Sequence, residues 1–257
     1  MLGAYIGDIV GSVYEWHSIN TKEFPLFSRT SRFTDDSVMT CAVANVLRGY
    51  KEKKLPYEKL GEAFAKEMRR MGKKYPQRGY GSHFKEWLTN PHMGPYNSLG
   101  NGSAMRVSAA GWYGNNLEEV EDFAKISAEV SHNHPSGIKG AQAIAGAVFL
   151  ARTKHSKEAI KEYIESKYYK LNFTIEEIRP TYEGSVTCDG TVPEAIEAFL
   201  EATSFEDAIR RAIYLGGDSD TIGAMAGSIG EAYYGVPDSI RQQALPYMCP
   251  EMLASLR

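Results

Sequence analysis

Two short segments carry the side chains best suited to chemistry. Phe33-Thr34-Asp35-Asp36-Ser37 lies near the N-terminus, and Gly216-Gly217-Asp218-Ser219-Asp220-Thr221 lies near the C-terminus. Together they offer four carboxylates and two threonine hydroxyls, a hard-oxygen donor set that suits Mg²⁺ or Mn²⁺ better than a soft metal. Each segment alone is too poor to hold an ion, so the expectation is that both close on one site. With a helix starting at Asp35, both acids fall in the first turn, where the helix dipole favours negative charge. Neighbouring helical residues point about 100° apart, so this pair suits two ions better than one. The plainer reading is a helix start capped by Thr34. Asp218 and Asp220 would face nearly opposite ways on a helix. They converge only if Asp218 precedes it, a turn for which Gly216-Gly217 supplies the backbone freedom. A calcium EF-hand loop is excluded, because Ile222 and Ile229 stand where it needs oxygen ligands.

Three further segments are candidates. Glu15 is read as closing an N-terminal helix from Gly3 to Trp16, behind the small residues Gly7, Gly11 and Ser12. An acid there opposes the helix dipole, which points to a role beyond structure. Gly100-Asn101-Gly102-Ser103-Ala104-Met105-Arg106 is a glycine-rich turn into a helix, whose free N–H groups could cradle a phosphate. Ser131-His132-Asn133-His134-Pro135 holds two of the six histidines, with no third nitrogen or sulfur ligand nearby. It reads as a polar loop that contacts a ligand.

The elements that must position these residues are helical. Helical spacing marks Asp36–Gly49, Tyr57–Met71, Leu117–Val130, Gly137–Thr153, Ser156–Tyr168, Val192–Ala202, Ser204–Leu215 and Thr221–Tyr234. Gly137–Thr153 is dense in Ala and Gly, which predicts a buried, closely packed helix. Only Leu171–Ile175 alternates as a strand would. Pro and Gly mark loops at Tyr75–Gly81, Asn90–Gly102 and Arg179–Gly190, the second a candidate substrate loop. No compositional break or 20–50-residue repeat divides the chain, which predicts one compact all-α domain over residues 1–257.

Composition sets limits. The 257 residues are 43% hydrophobic with a net charge of −3, enough for a large core and contrary to general nucleic-acid binding. Cys41, Cys188 and Cys249 are scattered and odd in number, with no C-x-x-C. That argues against a disulfide framework or a zinc site and favours a cytoplasmic setting. The N-terminus lacks the basic region of a secretory signal. No apolar stretch reaches the roughly 18 residues of a membrane span.

Taken in order, these segments resemble the ADP-ribosylglycohydrolase family, of which dinitrogenase reductase-activating glycohydrolase is one type. Gly3-Ala4-Tyr5-Ile6-Gly7-Asp8 through Tyr14-Glu15 is similar to the family's opening helix and acidic loop. Phe33 to Ser37 and Gly217 to Thr221 resemble its two metal motifs, and Gly100 to Arg106 its central glycine loop. Ser131-His132 with Gly140-Ala141 is similar to its ribose-side segment. The likeness runs along the whole chain.

The resemblance implies two divalent cations, Mg²⁺ or Mn²⁺, held by Thr34, Asp35, Asp36, Asp218, Asp220 and Thr221. It implies substrate contacts from Gly100, Asn101, Gly102, Ser103, Met105 and His132, and catalytic roles for Glu15 and Asp36. The reaction implied is hydrolysis at the C1″ carbon of an ADP-ribosylated protein arginine or serine, or of a small conjugate such as O-acetyl-ADP-ribose. The alternatives are a non-catalytic ADP-ribose binder or structural relative, and a dimetal phosphohydrolase. The last is disfavoured because neither acidic segment shows the histidine ligands and basic residues such sites use. The chain is also short beside many relatives, so the loops that select the acceptor are expected to be reduced.

Overall fold

The computed structural model describes residues 1–256 as fifteen α-helices and four short 3₁₀ turns, with no strand among the described residues. Helix α1 (Leu2–Gly11) is buried along its whole length, because Gly3, Gly7 and Gly11 leave one face without side chains. That face meets α13 (Ser219–Tyr234) at Gly223 and Gly227. A Cβ on Gly7 would stand 2.0 Å from the Gly223 carbonyl oxygen, and one on Gly3 would stand 2.1 Å from that of Gly227. Backbone therefore lies directly on backbone, and the two ends of the chain are locked side by side.

Helix α2 (Asp35–Lys51) begins at Thr34, whose hydroxyl accepts from the Asp36 N–H at 3.4 Å. Acids occupy its first turn and Arg48 and Lys51 its last, both favourable to the dipole. Val38, Met39, Ala42, Val43 and Leu47 form its buried face. The chain continues through α3 (Leu60–Lys74), α4 (Ser82–Thr89), α5 (Gly102–Met105), α6 (Ser108–Tyr113) and α7 (Leu117–Glu129). Helix α8 (Pro135–Arg152) is deeply buried, as its Ala/Gly content predicts. It starts at His134, whose Nδ1 accepts from the Ser136 N–H at 3.1 Å. Then come α9 (Lys157–Lys167), α10 (Ile175–Ile178), α11 (Val192–Glu201), α12 (Phe205–Leu215), α13, α14 (Asp238–Ala244) and α15 (Pro250–Ser255). Helix α13 lies at the centre, packed against α1, α8, α11 and α12. The buried apolar side chains form one continuous cluster from Leu2 to Met252.

Two expectations are corrected. The N-terminal helix stops at Gly11 instead of reaching Trp16, so Glu15 sits in the turn beyond it. Ser12 ends the helix by folding its hydroxyl back onto the Ile9 carbonyl at 2.9 Å. Leu171–Ile175 is not a strand. Leu171 and Ile175 are buried, but no neighbouring strand is there to pair with them. Thr174 instead opens α10 with a reciprocal capping box to Glu177. The short helices α4, α6, α14 and α15 escaped the periodicity reading. Helices this short are unstable alone and form through packing, as where Phe84 stacks on Trp87 of α4 with ring centroids 5.4 Å apart.

Candidate active-site cleft

The start of α2, the start of α13, the turn after α1 and the loop before α5 meet around one cleft of about 430 Å³. Thr34, Asp35, Asp36, Asp218, Asp220, Thr221, Glu15, Gly100, Asn101, Gly102, Met105 and His132 all line it. Ser103 does not. It is fully buried, and its hydroxyl donates to the Gly137 carbonyl at 2.7 Å, so it joins α5 to α8 and faces away from any ligand.

The convergence depends on backbone geometry that two glycines allow. Gly216 and Gly217 adopt φ of +89° and +69°, a region side chains disfavour. This reversal leaves Asp218 just ahead of α13, with Asp220 and Thr221 in its first turn. Asp220 lies beside Gly11, where an added Cβ would come within 2.4 Å of the Asp220 Cα. The α1–α13 contact thus carries the second acidic segment onto the first.

Carboxylate oxygens gather in two groups, each within 4.8 Å: Asp8 with Asp36 and Asp220, and Glu15 with Asp218 and Asp220. Asp220 belongs to both. Asp8, to which the sequence reading gave no role, is fully buried on α1. It accepts from the Thr34 N–H at 2.9 Å, the Thr34 hydroxyl at 2.7 Å, the Ser37 N–H at 3.1 Å and the Ser37 hydroxyl. Asp8 therefore fixes the start of α2, and a buried acid on an otherwise small and apolar helix was the available signal. Asp35 belongs to neither group. It stands half-buried at the cleft wall, its N–H donating to the Arg78 carbonyl at 2.7 Å. The Thr221 hydroxyl donates to Asp36 Oδ2 at 3.3 Å, and the Thr34 hydroxyl oxygen lies 3.2 Å from the same atom, its one proton being given to Asp8. Asp36 Oδ1 is buried without a hydrogen-bond partner.

So many acids in one buried place hold their protons tightly. Burial, followed by the Asp8 charge, pushes Asp35 up to about 8 and raises Asp36 well above the usual carboxylate range. Asp220 is raised by burial and then by Asp36. Asp8 reaches only about 6, because the Ser37 and Thr34 hydrogen bonds offset its burial. Glu15 is raised by burial and then by Asp218. A bound divalent cation would reverse this balance and keep the acids ionised.

On the opposite wall, Asn101 donates from its side-chain amide to Asp218 Oδ2 at 2.7 Å, so it orients an acid of the second acidic segment. Its own N–H is held by the Val186 carbonyl at 2.9 Å. His132 sits against Gly100 and Gly102, with Phe84 and Tyr96 at its flanks, 5.8 and 5.7 Å between centroids. His134 is spent on capping α8, which separates the roles of the two histidines. Arg32 and Arg78 also line the cleft, and this corrects the expectation that the acids lack basic neighbours. Arg32 stands only two residues before Thr34 and was legible. Arg78 comes from a separate loop and was not.

An all-helical frame draws oxygen donors from both chain ends into one cleft, and comparison with known proteins gives the class, an ADP-ribosyl glycohydrolase. The ADP-ribosylglycohydrolase family model matches residues 1–253, and the chain belongs to that family. It is an enzyme, a hydrolase of ADP-ribose linkages. It is similar to the ADP-ribosylhydrolase ARH3 of Homo sapiens, 28% identical over 99% of this chain and 90% of that protein. Against the ARH3 of Mus musculus it is 29% identical, with 99% and 88% covered. The human alignment spans 333 positions for a chain of 257 residues, so the relative carries insertions. A solved structure described as an ADP-ribosylglycohydrolase-related protein complex shares the fold, with a TM-score of 0.67 and 22% identity over the whole of this chain and 91% of that one. No helix among the described residues is long and apolar enough to cross a membrane.

Proposed function

We propose that this chain, folded as one domain, uses two divalent cations, Mg²⁺ or Mn²⁺, to hydrolyse the C1″ glycosidic bond of an ADP-ribosylated protein or small conjugate. The observation that carries this reading is the pair of carboxylate groups sharing Asp220. Two groups with one common member suit two neighbouring ions. All donors are oxygens, as a hard cation prefers, and the orphaned Asp36 Oδ1 is an acceptor that lacks only a ligand. Asp36, Asp218 and Asp220 would hold the ions from within these groups, with Thr34, Asp35 and Thr221 completing the set from the cleft wall; Asp8, whose oxygens are taken up by Thr34 and Ser37, would brace them from behind, and Glu15 is left for proton transfer. Bound there, the cations would supply Lewis-acid chemistry and fix vicinal hydroxyls of the distal ribose.

The chain's own residues do the rest. Glycoside hydrolysis needs stabilisation of an oxocarbenium-like centre and proton transfer to the departing group. Glu15, on the turn past α1 and with its proton held by burial and by Asp218, would serve the leaving atom. Asp36, on the acidic wall, would take a proton from the attacking water. Gly100, Gly102 and His132 form the part of the cleft that would receive the phosphates. Met105 packs against the first turn of α13, its sulfur 3.9 Å from the Thr221 hydroxyl oxygen.

The test is a product assay. The purified protein is given ADP-ribosyl-arginine, ADP-ribosyl-serine and O-acetyl-ADP-ribose with Mg²⁺ or Mn²⁺, and free ADP-ribose is identified. Release from at least one substrate, abolished by chelation, is expected. No release from any of the three, or release unaffected by chelation, would refute the proposal.

A further inference from the structure

Beside the acidic wall, one buried cation has no carboxylate partner. Arg106 follows α5 and is fully buried. A guanidinium has five N–H donors and can accept nothing. Its Nη2 donates to the Ser127 carbonyl at 2.7 Å and to Ser131 Oγ at 3.0 Å, while Nε and Nη1 have no partner. Ser131 is also fully buried, and among the described residues the one other hydrogen-bond partner of its hydroxyl is His132 Nδ1 at 2.8 Å.

We infer that Arg106 and Ser131 are positioning residues that hold His132 as a neutral imidazole with its proton on Nε2, turned toward the Gly100–Gly102 loop as a hydrogen-bond donor for an anionic oxygen of the ligand. The inference follows from which atoms can donate. Arg106 can only donate, so Ser131 Oγ accepts from it. The Ser131 hydroxyl proton then needs an acceptor, and among the described residues His132 Nδ1 is the one in reach. Were Nδ1 protonated, Ser131 Oγ would have to accept from both groups, and its own buried hydroxyl proton would be left without an acceptor. A ring that accepts at Nδ1 and stays neutral carries its proton on Nε2.

Nε2 makes no hydrogen bond within the protein, yet it is not sealed off, for it is not among the buried unpartnered atoms. It faces the glycine loop so closely that a Cβ on Gly102 would lie 2.8 Å from it, and one on Gly100 3.6 Å. Phe84 and Tyr96 fix the ring plane from the sides. Burial, and after it the charge of Arg106, opposes protonation of the ring. The other titratable neighbour, Tyr96, is itself pushed up to about 12 by burial and stays neutral. This inference rests on the proposed function for the identity of the ligand, with a phosphate oxygen of ADP-ribose as the acceptor. The tautomer itself is a property of the free protein.

The test separates the two. Long-range ¹H–¹⁵N correlation of the histidine-labelled full-length protein reads the tautomer directly, with the His132 signal assigned by its loss in His132→Phe. The wild type is expected to show a neutral Nε2–H ring at pH 6. Ser131→Ala is expected to give mixed tautomers, and Ser131→Thr, which keeps the hydroxyl, to restore Nε2–H. Arg106→Lys, which loses the planar fork, is a second route to mixing should Ser131→Ala fail to fold. Calorimetric titration with ADP-ribose is expected to weaken about tenfold in His132→Phe and by a smaller factor in Ser131→Ala. A wild-type ring protonated on Nδ1, or an unchanged tautomer in both Ser131→Ala and Arg106→Lys, overturns the inference. The expected tautomers without any ADP-ribose binding would leave the positioning intact and overturn the ligand assignment.

Discussion

Replacing Gly7 by alanine adds one methyl group at the contact that assembles the site. The methyl would stand 2.0 Å from the Gly223 carbonyl oxygen, 2.3 Å from its carbon and 2.7 Å from the Ala224 nitrogen. Ordinary contact begins at 3.4 Å, so α1 and α13 must part by roughly 1.4 Å. All three atoms are backbone, so no rotamer change can relieve the clash. Overpacking of this kind costs about 1–3 kcal/mol, occasionally more, which for a chain of this size lowers Tm by about 2–12 °C. The functional loss should be larger than the stability loss suggests. Asp8 is the next residue on α1, and Asp220 lies in the first turn of α13. A displacement of about 1 Å between positioned groups can cost on the order of 10²-fold in rate. Urea unfolding and ADP-ribose release, measured together on folded protein, would check this. Gly49→Ala is the control. Nothing lies within 4 Å of its added Cβ, and within α2 the change should leave stability equal or raised by up to about 1 kcal/mol. If Gly7→Ala matched the wild type in both midpoint and turnover, the claim that this contact sets the spacing of the acids would be wrong.

Mn²⁺ should raise the Tm of the wild type, because an ion bound only by the folded state stabilises it. Asp220→Asn, which removes the member shared by both acidic groups, should lose that shift and the activity together; a retained Mn²⁺ shift would displace Asp220 from the ligand set. Glu15→Gln should lower kcat by about 10²–10⁴-fold if Glu15 transfers a proton, with ADP-ribose affinity little changed; a rise in KM at normal kcat would make it a binding residue instead. Glu194 and Glu197 are pushed up to about 7 by burial, and each has an Oε2 with no hydrogen-bond partner, Lys161 standing 4.0 Å from that of Glu197. In the folded state they keep protons that the unfolded chain gives up, so their contribution is full below pH about 4.5 and is lost as pH rises through about 7. Glu194→Gln should flatten the fall in urea stability between pH 5 and 8, and an unchanged slope would contradict the assignment.

Much of this protein was legible one segment at a time. The long helices follow from apolar spacing, because a helix that buries one face must repeat it every three to four residues. The limits of α12 follow from Ser204 and Gly216, because a cap must satisfy free N–H groups and a reversal needs a residue without Cβ. The donor chemistry of Asp35-Asp36 and Asp218-Ser219-Asp220 was equally plain, since oxygen ligands are hard wherever the chain puts them. Tertiary structure decided what depends on distant partners. Asp8 became the brace of the site only because α1 lies on α13 at glycine contact. Ser103 turned inward to Gly137 because α5 packs on α8. Asn101 was drawn from the ligand's side to Asp218, and Arg78 entered the cleft from a separate loop. The extended run at Leu171–Ile175 found no neighbour to pair with. Local sequence sets the preferences of each segment, whereas the direction in which a side chain points, and what it meets there, is fixed by how the helices cross.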